Sequence, residues 1–308
     1  MAAYSVVVVT WESAGRLRTL IASMNAMLEP GPELIVVDNA SSDDPAVPAR
    51  EWKGETRFVG LERNEGFGAA TNAGVAVARH RGVVLLNPDT VLLDSGLERL
   101  VEIALDRRAL AGPRLLDPDG SIQPSASGPP VGPWPWIGAL LPGAIQPGAL
   151  KARTEPWRLE RATRVAWLTG ACIAAPRETL LRLGPFDPAI HLFAEDMDLG
   201  LRAARAGVPS WFCPDACRIT HVGGASATVR FPAGSEATVA RNRHLVLRRI
   251  YGPRRERASR LAQRLNLRLR VITKRALGRD AARDRAALEA ARRAPVDADP
   301  GGAPAARR

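Results

Sequence analysis

The feature that most restricts the fold of this sequence is an alternation of apolar runs and helix-like stretches over its first 110 residues. The short runs are apolar throughout, which is typical of central parallel strands buried on both faces. They lie at 6–9, 34–37, 58–61 and 83–86, with helix-like stretches at 14–28, about 45–52 and 67–80. The alternation predicts right-handed crossovers and an α/β fold with a doubly wound, mostly parallel sheet.

Polar side chains follow three of these runs where the predicted strands end. They are Thr10 and Glu12, Asp38 and Asn39, and Asn87 and Asp89. In a doubly wound sheet these ends meet at one edge, where ligands bind. Asp38 suits a hydrogen bond to a ribose or a base N–H, and Asp89 is a hard oxygen ligand suited to Mg²⁺ or Mn²⁺. The alternative for each acid is an ordinary helix cap.

A glycine-containing segment, RNEGFGAATNAG at 63–74, lies between these strand ends. It is not a dinucleotide fingerprint, because Thr71 occupies the third glycine position. Gly66 allows a tight turn into an Ala-rich helix, whose N-terminus favours anionic ligands. Asn64 and Asn72 add polar groups. A plain strand-to-helix turn is the alternative.

Three acids, Glu195, Asp196 and Asp198, stand at the start of a helix predicted over about 195–206. The helix dipole alone favours acids there, but a general base at the floor of a cleft also fits. Arg202, four residues after Asp198, can pair with it, which leaves Asp196 as the better base candidate. His221, at the end of a strand predicted over 218–221, is either a metal ligand or a structural histidine.

Residues 117–161 contain too many Pro and Gly for a long helix or a central strand. This segment is either a surface loop or an apolar acceptor-side flap that carries Trp134 and Trp136. Further short elements are predicted at 165–175, after Pro176 and at 210–213.

The positive charge is confined to the C-terminal part of the chain. The formal net charge is +11, but residues 241–308 carry +14 and residues 1–240 carry −3. The 258–277 segment predicts an amphipathic helix within a basic extension at 252–294, followed by a disordered tail at 295–308. This helix either packs on the body with a solvated basic face or lies on an anionic membrane.

Other sequence features bear on the compartment. Cys172, Cys213 and Cys217 suit buried thiols rather than a disulfide framework or a zinc site. The sequence shows neither a standard signal peptide nor an apolar stretch of about 18 residues. We therefore expect a cytoplasmic protein.

Seven ordered segments carry a family resemblance: VVVVTWESAGRL, ELIVVDNASSDD, RNEGFGAATNAG, VLLNPDT, WLTGACIAAPRE, GPFDPAIHLFAEDMDLGLRAARAG and ITHVGGAS. Together they resemble glycosyltransferase family 2 enzymes of the GT-A fold, in particular the bacterial rhamnosyltransferase-like branch. The resemblance spans about 6–251 and implies a GT-A domain over 1–251, with a nucleotide-binding half at 1–115 and an acceptor half at 116–251.

The resemblance implies a role for each matching residue. The donor-binding residues would be Thr10, Glu12 and Asp38 at the nucleoside, with Asn39, Asn64, Gly66, Asn72, Asn87, Gly170 and Ala171 around the nucleotide and sugar. Asp89 resembles the metal-binding acid of the D-x-D motif, with His221 as a late metal contact, and Asp196 resembles the catalytic base. Glu195, Trp134 and Trp136 would lie on the acceptor side. Asn87 replaces the first acid of D-x-D, and Glu12 stands where Asn is usual.

The implied activity is inverting transfer of a sugar, with rhamnose favoured, from a dTDP- or UDP-linked donor to a lipid-linked or polysaccharide acceptor. It would need Mg²⁺ or Mn²⁺ and would take place at the inner face of the plasma membrane, in envelope glycan synthesis. Two alternatives remain: a catalytically silent sugar-nucleotide-binding scaffold and a basic nucleic-acid-binding protein. The nucleic-acid alternative lacks a recognition motif, so no nucleic acid partner is expected.

Overall fold

A computed structural model describes residues 3–141, 145–187, 190, 192–223 and 235–293. The first half of these residues builds the parallel part of a sheet. Its strands are β1 Tyr4–Thr10, β2 Glu33–Asp38, β3 Thr56–Gly60 and β4 Gly82–Leu86, with helices α1 Ala14–Met27, α2 Ala46–Ala49 and α3 Phe67–Val77 between them. The strands lie in the order β3-β2-β1-β4 and are all parallel.

The second half extends the sheet with mixed pairing. Its elements are β5 Thr90–Leu92, α4 Leu97–Asp106, β6 Leu110–Leu116, β7 Ala126–Ser127, α5 Trp134–Leu140, α6 Gly148–Thr154, β8 Thr163–Val165, β9 Trp167–Leu168, β10 Cys172–Pro176, α7 Arg177–Leu183, α8 Glu195–Arg205 and β11 Ser210–His221. Within the described chain the sheet has nine strands, continuing from β4 through β10, β6 and β11 to β5, with β8 on β11. Strand β10 is antiparallel to β4, and β6 is parallel to β11.

Helices cover both faces of the sheet, as the apolar strands predict. In β1, Val6 and Val8 join a core cluster with α1 and α4, whereas Val7 and Val9 join the cluster beneath α3. Successive side chains of a strand point to opposite faces, so an unbroken apolar run marks a strand covered on both sides. The predicted α/β class with a doubly wound, mostly parallel sheet is confirmed.

Several predicted elements were wrong in detail. The 58–61 run is not a buried central strand: β3 is the sheet edge, and Phe58 is 42% exposed. The helix predicted over 45–52 is the four-residue α2. The strands predicted at 210–213 and 218–221 are one strand, β11, whose register shifts between Cys213 and Arg218. An irregularity of this kind bends a strand without ending it, but Pro214 and Asp215 between the two runs made them look like separate strands.

Three helices follow the sheet: α9 Glu236–Tyr251, α10 Pro253–Ala276 and α11 Ala282–Arg293. Helix α10 begins earlier than predicted and packs on α5, α9 and α11. A turn separates α10 from α11 and includes Gly278, whose φ is +65°. The predicted single apolar arc of α10 divides, because Ala262 is fully buried whereas Leu261 and Ile272 are exposed. The tail predicted at 295–308 lies outside the described residues.

The cysteine prediction is confirmed. Cys172, Cys213 and Cys217 are buried free thiols. Over the described ranges, no helix combines the length and apolar character that crossing a bilayer requires.

Candidate active site

A cavity of about 380 Å³ opens where the carboxyl ends of β1 and β4 meet the N-terminus of α8. Ten of the predicted site residues line it: Asn39, Asn64, Gly66, Asn87, Asp89, Gly170, Ala171, Glu195, Asp196 and His221. The sheet edge and the start of α8 are therefore brought together, as expected for a ligand site in an open α/β sheet.

An amide network shapes one wall of the cavity. Asn64 Oδ1 accepts hydrogen bonds from Asn39 Nδ2 at 3.1 Å and from the Gly66 amide at 3.0 Å. Asn39 Oδ1 in turn accepts the Glu65 amide at 2.9 Å. Gly66 has φ +91°, a conformation that favours glycine, and it immediately precedes α3. The network fixes the turn so that the N-terminus of α3 faces the cavity.

The residues predicted to bind the nucleoside lie next in the chain to residues of the cavity wall. Glu12 accepts hydrogen bonds from the Ser42 amide and hydroxyl, both at 2.8 Å, and Asp38 accepts the amide and hydroxyl of Ser41. Thr10 is fully buried and pairs with Asp38 across β1 and β2. Glu12 thereby joins the β1–α1 and β2–α2 loops. Among the described residues, none of these three side chains is part of the cavity lining.

Among the described residues, Asn72, Trp134 and Trp136 are not part of the cavity lining. Asn72 Nδ2 donates to the Phe186 carbonyl at 2.9 Å, and its Oδ1 accepts the Phe186 amide at 3.0 Å. Asn72 thus ties α3 to the segment that leads to α8. Trp134 and Trp136 are half-buried in α5, which packs on α10, and the Arg153 guanidinium lies 5.7 Å from the Trp134 ring centroid.

Asp89 lies at the centre of a polar cluster. Its Oδ1 is 3.4 Å from His221 Nε2, and its Oδ2 is 3.7 Å from Arg16 Nη1. Burial opposes ionisation of Asp89, but the hydrogen bond and charge of His221, together with Arg16, outweigh burial and lower its pKa. Asp89 is therefore a carboxylate at neutral pH.

A second residue orients the His221 ring. Gln123 Nε2 donates to Asp117, which turns Gln123 Oε1 towards His221 Nδ1 at 2.7 Å. Nδ1 must then carry a proton, and Nε2 faces Asp89. In the protonated ring Nε2 donates to the Asp89 carboxylate, and in the neutral ring it offers a lone pair to a cation on that side.

These groups suit a hard divalent cation that is shared with a phosphate ligand. The protein offers the carboxylate of Asp89, the Nε2 of His221 and the side-chain amide oxygen of Asn87. This Asn87 Oδ1 is buried without a hydrogen-bond partner among the described residues. The described residues contain no cluster of three or more His, Cys, Asp or Glu placed to hold a metal ion. Oxygens of a bound diphosphate would complete the coordination shell, so binding of metal and nucleotide should be coupled.

Glu195 and Asp196 form the opposite wall. Asp196 Oδ2 accepts the Gly170 amide at 3.1 Å, and its Oδ1 accepts the Met197 amide at 2.6 Å. Burial raises the pKa of Asp196 despite these bonds. Burial and the charge of Asp196 raise the pKa of Glu195 to about 8. We assign the shared charge to Asp196, because its carboxylate has the hydrogen-bond donors, and the proton to Glu195.

Asp198 is separated from this pair, as the sequence predicted. Its Oδ2 accepts the Arg202 Nε at 2.6 Å, and Arg202 also donates to the carbonyls of Leu183, Gly184 and Pro185. Asp198 and Arg202 thus fasten α8 to the end of α7.

The proton on Glu195 predicts a measurable pH dependence of stability. In the unfolded chain Glu195 ionises near its ordinary value of 4.5, whereas in the fold its pKa is about 8. Between these values the folded state holds the extra proton, so rising pH lowers the free energy of unfolding. Urea unfolding from pH 4.5 to 8 should show a smaller loss for Glu195→Gln than for the parent. Parallel curves for the two proteins would contradict the raised pKa.

The cavity also contains residues that sequence reasoning missed. Trp11 and Arg16 line it beside β1, and Phe193 and Ala194 line it beside α8. Both Phe193 and Ala194 have φ of +68°. Trp11 could have been selected as the aromatic beside Thr10, but neither the reach of Arg16 nor the backbone of 193–194 has a sequence signature.

Comparison with known proteins finds a family match and similar curated sequences. Residues 5–129 match the family described as Glycosyl transferase family 2. The N-acetylglucosaminyl-diphospho-decaprenol L-rhamnosyltransferase of Mycobacterium tuberculosis is 29% identical, over 79% of this chain and 83% of its own. The succinoglycan biosynthesis protein ExoO of Rhizobium meliloti is 35% identical, over 32% of this chain and 28% of its own.

Solved structures of other proteins share the fold. The mannosyltransferase of Pyrobaculum calidifontis in complex with GDP-Man and Mn²⁺ has a TM-score of 0.58 at 16% identity, covering 94% of this chain and 80% of its own. S. aureus TarS in complex with UDP-GlcNAc has a TM-score of 0.53 at 14% identity, covering 86% and 71%. The comparisons confirm the resemblance and the GT-A fold that the sequence motifs indicated.

Proposed function

We propose that this chain, which carries a family 2 glycosyltransferase domain, is an inverting transferase. It would move a sugar from a nucleotide diphosphate to a lipid-linked or polysaccharide acceptor in envelope glycan synthesis. The observation that supports this most is that Asp89 with His221 and Glu195 with Asp196 line one cavity. One pair suits a metal-bound diphosphate and the other suits deprotonation of an acceptor hydroxyl. Both groups are needed for a single displacement at an anomeric carbon.

In the proposed mechanism Asp196 takes the proton from the acceptor hydroxyl as that oxygen attacks the sugar. The Gly170 and Met197 amides hold the Asp196 carboxylate in place. Glu195 retains its own proton, so the pair enters the reaction with one negative charge. We place Glu195 on the acceptor side, as the family resemblance implies. Attack from the face opposite the leaving group inverts the anomeric configuration.

The leaving diphosphate would lie between Asp89 and the N-terminus of α3. A divalent cation, Mg²⁺ or Mn²⁺, held by Asp89 and His221 would neutralise charge on that leaving group. Arg16, whose guanidinium reaches Asp89, adds positive charge at the same end of the cavity. Gly66 lets the backbone approach the phosphates closely.

The substrate assignment comes from the relatives. The mycobacterial relative is named for the transfer of L-rhamnose to N-acetylglucosaminyl-diphospho-decaprenol. For this chain we extend that to a rhamnose donor, with dTDP or UDP as carrier, and to a lipid-linked acceptor. The Glu12 carboxylate accepts hydrogen bonds from Ser42, so Glu12 shapes the loop at the end of the cavity where the nucleoside would bind.

A panel of sugar nucleotides tests the function directly. dTDP- and UDP-sugars, dTDP-rhamnose among them, would be supplied with Mg²⁺ or Mn²⁺ and a polyprenyl-diphosphate-linked acceptor, and released nucleoside diphosphate measured. We expect release that requires both metal and acceptor. Donor binding without any transfer would instead indicate a silent sugar-nucleotide-binding scaffold. Salt-dependent DNA binding without sugar-nucleotide affinity would indicate a nucleic-acid-binding protein.

A lipid-linked acceptor requires the protein to reach a membrane. We assign membrane binding to one side of α10, which we call the basic–apolar face. It consists of Leu261, Leu269 and Ile272 together with Arg257, Arg268 and Arg275, all exposed. Asn266 Nδ2 donates to the Gly138 carbonyl of α5 at 3.0 Å on another side of the helix. Helix α10 therefore both packs on the body and presents apolar and basic groups outward, which suits peripheral binding to the anionic inner face of the plasma membrane.

Point substitutions test the basic–apolar face better than removal of α10, because α10 also contributes buried Ala262 to the fold. Arg268→Glu with Arg275→Glu should weaken binding to phosphatidylglycerol vesicles about 10-fold or more, since each basic residue near an anionic surface contributes about 1 kcal/mol. Arg50→Glu with Arg182→Glu is the control, with the same change in net charge on the catalytic part. Equal co-sedimentation of the two double variants with vesicles would refute the assignment.

A further inference from the structure

The turn that precedes the Glu195–Asp196 pair is held by a side chain from α9. Asn242 Nδ2 donates to the Leu192 carbonyl at 2.8 Å and to the Phe193 carbonyl at 3.2 Å. Asn242 is about 50 residues away in sequence and is buried. One amide group thus binds two successive carbonyls of the turn.

The backbone of this turn needs such support. Phe193 and Ala194 both have φ of +68°, in the left-handed region that residues with a Cβ rarely adopt. Ala194 is also the N-cap of α8, and its side chain provides no capping hydrogen bond. Two consecutive disfavoured conformations persist only where surrounding contacts hold them.

The turn determines the position of the catalytic wall. Leu192, Phe193 and Ala194 line the cavity, and Glu195 and Asp196 follow without an intervening residue. Relaxation of the turn would therefore shift Asp196 relative to the Gly170 amide, which it contacts at 3.1 Å. Helix α9 is a firm support, because its Val246 and Leu247 pack in one buried cluster with Met197 and Leu201 of α8.

We propose that Asn242 is a positioning residue that holds the strained turn at 192–194 and thereby sets the placement of Asp196. This inference rests on the proposed function, since it concerns Asp196 as the base. Asn242 acts through the backbone and touches neither the acceptor nor the donor.

The test compares Asn242→Ala with Asn266→Ala. Asn266 is a matched control, because it also donates from a C-terminal helix to one backbone carbonyl, but at α5. We expect Asn242→Ala to lower kcat about 10- to 100-fold, the range that small misplacement of a reacting group produces, with little change in donor KM. Asn266→Ala should retain parent kcat. Asn242→Leu, which removes the donor at similar volume, is the second variant if Asn242→Ala folds poorly.

A readout independent of catalysis is amide hydrogen exchange over 194–198 in the free protein. It should accelerate in Asn242→Ala and remain at the parent rate in Asn266→Ala. Adding Ala194→Gly to Asn242→Ala should recover part of the lost kcat, because glycine adopts positive φ without strain.

The outcomes separate this inference from the proposed function. Parent kcat in Asn242→Ala and Asn242→Leu, together with an inactive Asp196→Asn, would overturn the positioning role and leave the function intact. Equal losses of kcat in Asn242→Ala and Asn266→Ala would likewise overturn it and indicate general destabilisation. Full activity in Asp196→Asn would instead overturn the proposed function.

Discussion

Replacement of Asp196 by Asn is expected to lower kcat by about 10²-fold or more while sugar-nucleotide binding is retained. The substitution preserves the size of the side chain, and the amide oxygen can still accept the Gly170 N–H that Asp196 now accepts at 3.1 Å. The amide nitrogen cannot accept the Met197 N–H, so that second hydrogen bond is lost. What is lost is a basic oxygen for the acceptor proton. The nucleotide end of the cavity, around Asp89 and Gly66, is untouched by the change.

The measurement should separate binding from chemistry. Calorimetric titration with nucleoside diphosphate and metal gives donor-side affinity, and single-turnover transfer gives the chemical step. Asp119→Asn is a suitable control, since Asp119 is an exposed carboxylate whose contacts are with Ser121. Near-normal turnover in Asp196→Asn would exclude Asp196 as the base and direct attention to Glu195.

The parts of this fold that the sequence predicted are those with strong local signatures. Buried parallel strands are apolar throughout, and the carboxyl ends of β1, β2 and β4 each run into polar residues. Asn39, Asn87 and Asp89 therefore converge in the structure as predicted. The pairing of Asp198 with Arg202 was equally accessible, because residues four apart on a helix are neighbours.

The parts that the sequence did not predict depend on contacts between distant segments. Phe58 lies in a run resembling its neighbours, and only the strand order makes β3 an edge. Glu12 contacts Ser42, 30 residues along the chain, and no local pattern indicates that loop contact. The contact of Asn242 with the 192–193 carbonyls has no local pattern that could indicate it.

Removal of the Asp89 carboxylate is the second large perturbation, and it tests the metal assignment. In Asp89→Ala, the parent's proposed cation site loses its charged oxygen ligand, leaving the His221 Nε2 and the Asn87 amide oxygen. We expect the metal-dependent gain in nucleotide affinity to fall by about 10- to 100-fold or more, because loss of a residue that only supports a metal ligand already costs about that much. Calorimetric titration of nucleoside diphosphate with Mn²⁺ and then with chelator measures this directly. The parent should lose affinity on chelation, whereas Asp89→Ala should respond little. An Asp89→Ala protein as sensitive to chelator as the parent would place the cation elsewhere.

A second variant, Gln123→Leu, tests His221 separately, because it frees the His221 ring while Asp89 remains. A partial loss of the metal-dependent gain in nucleotide affinity would show that the imidazole, oriented through its Nδ1 proton, is a ligand in its own right.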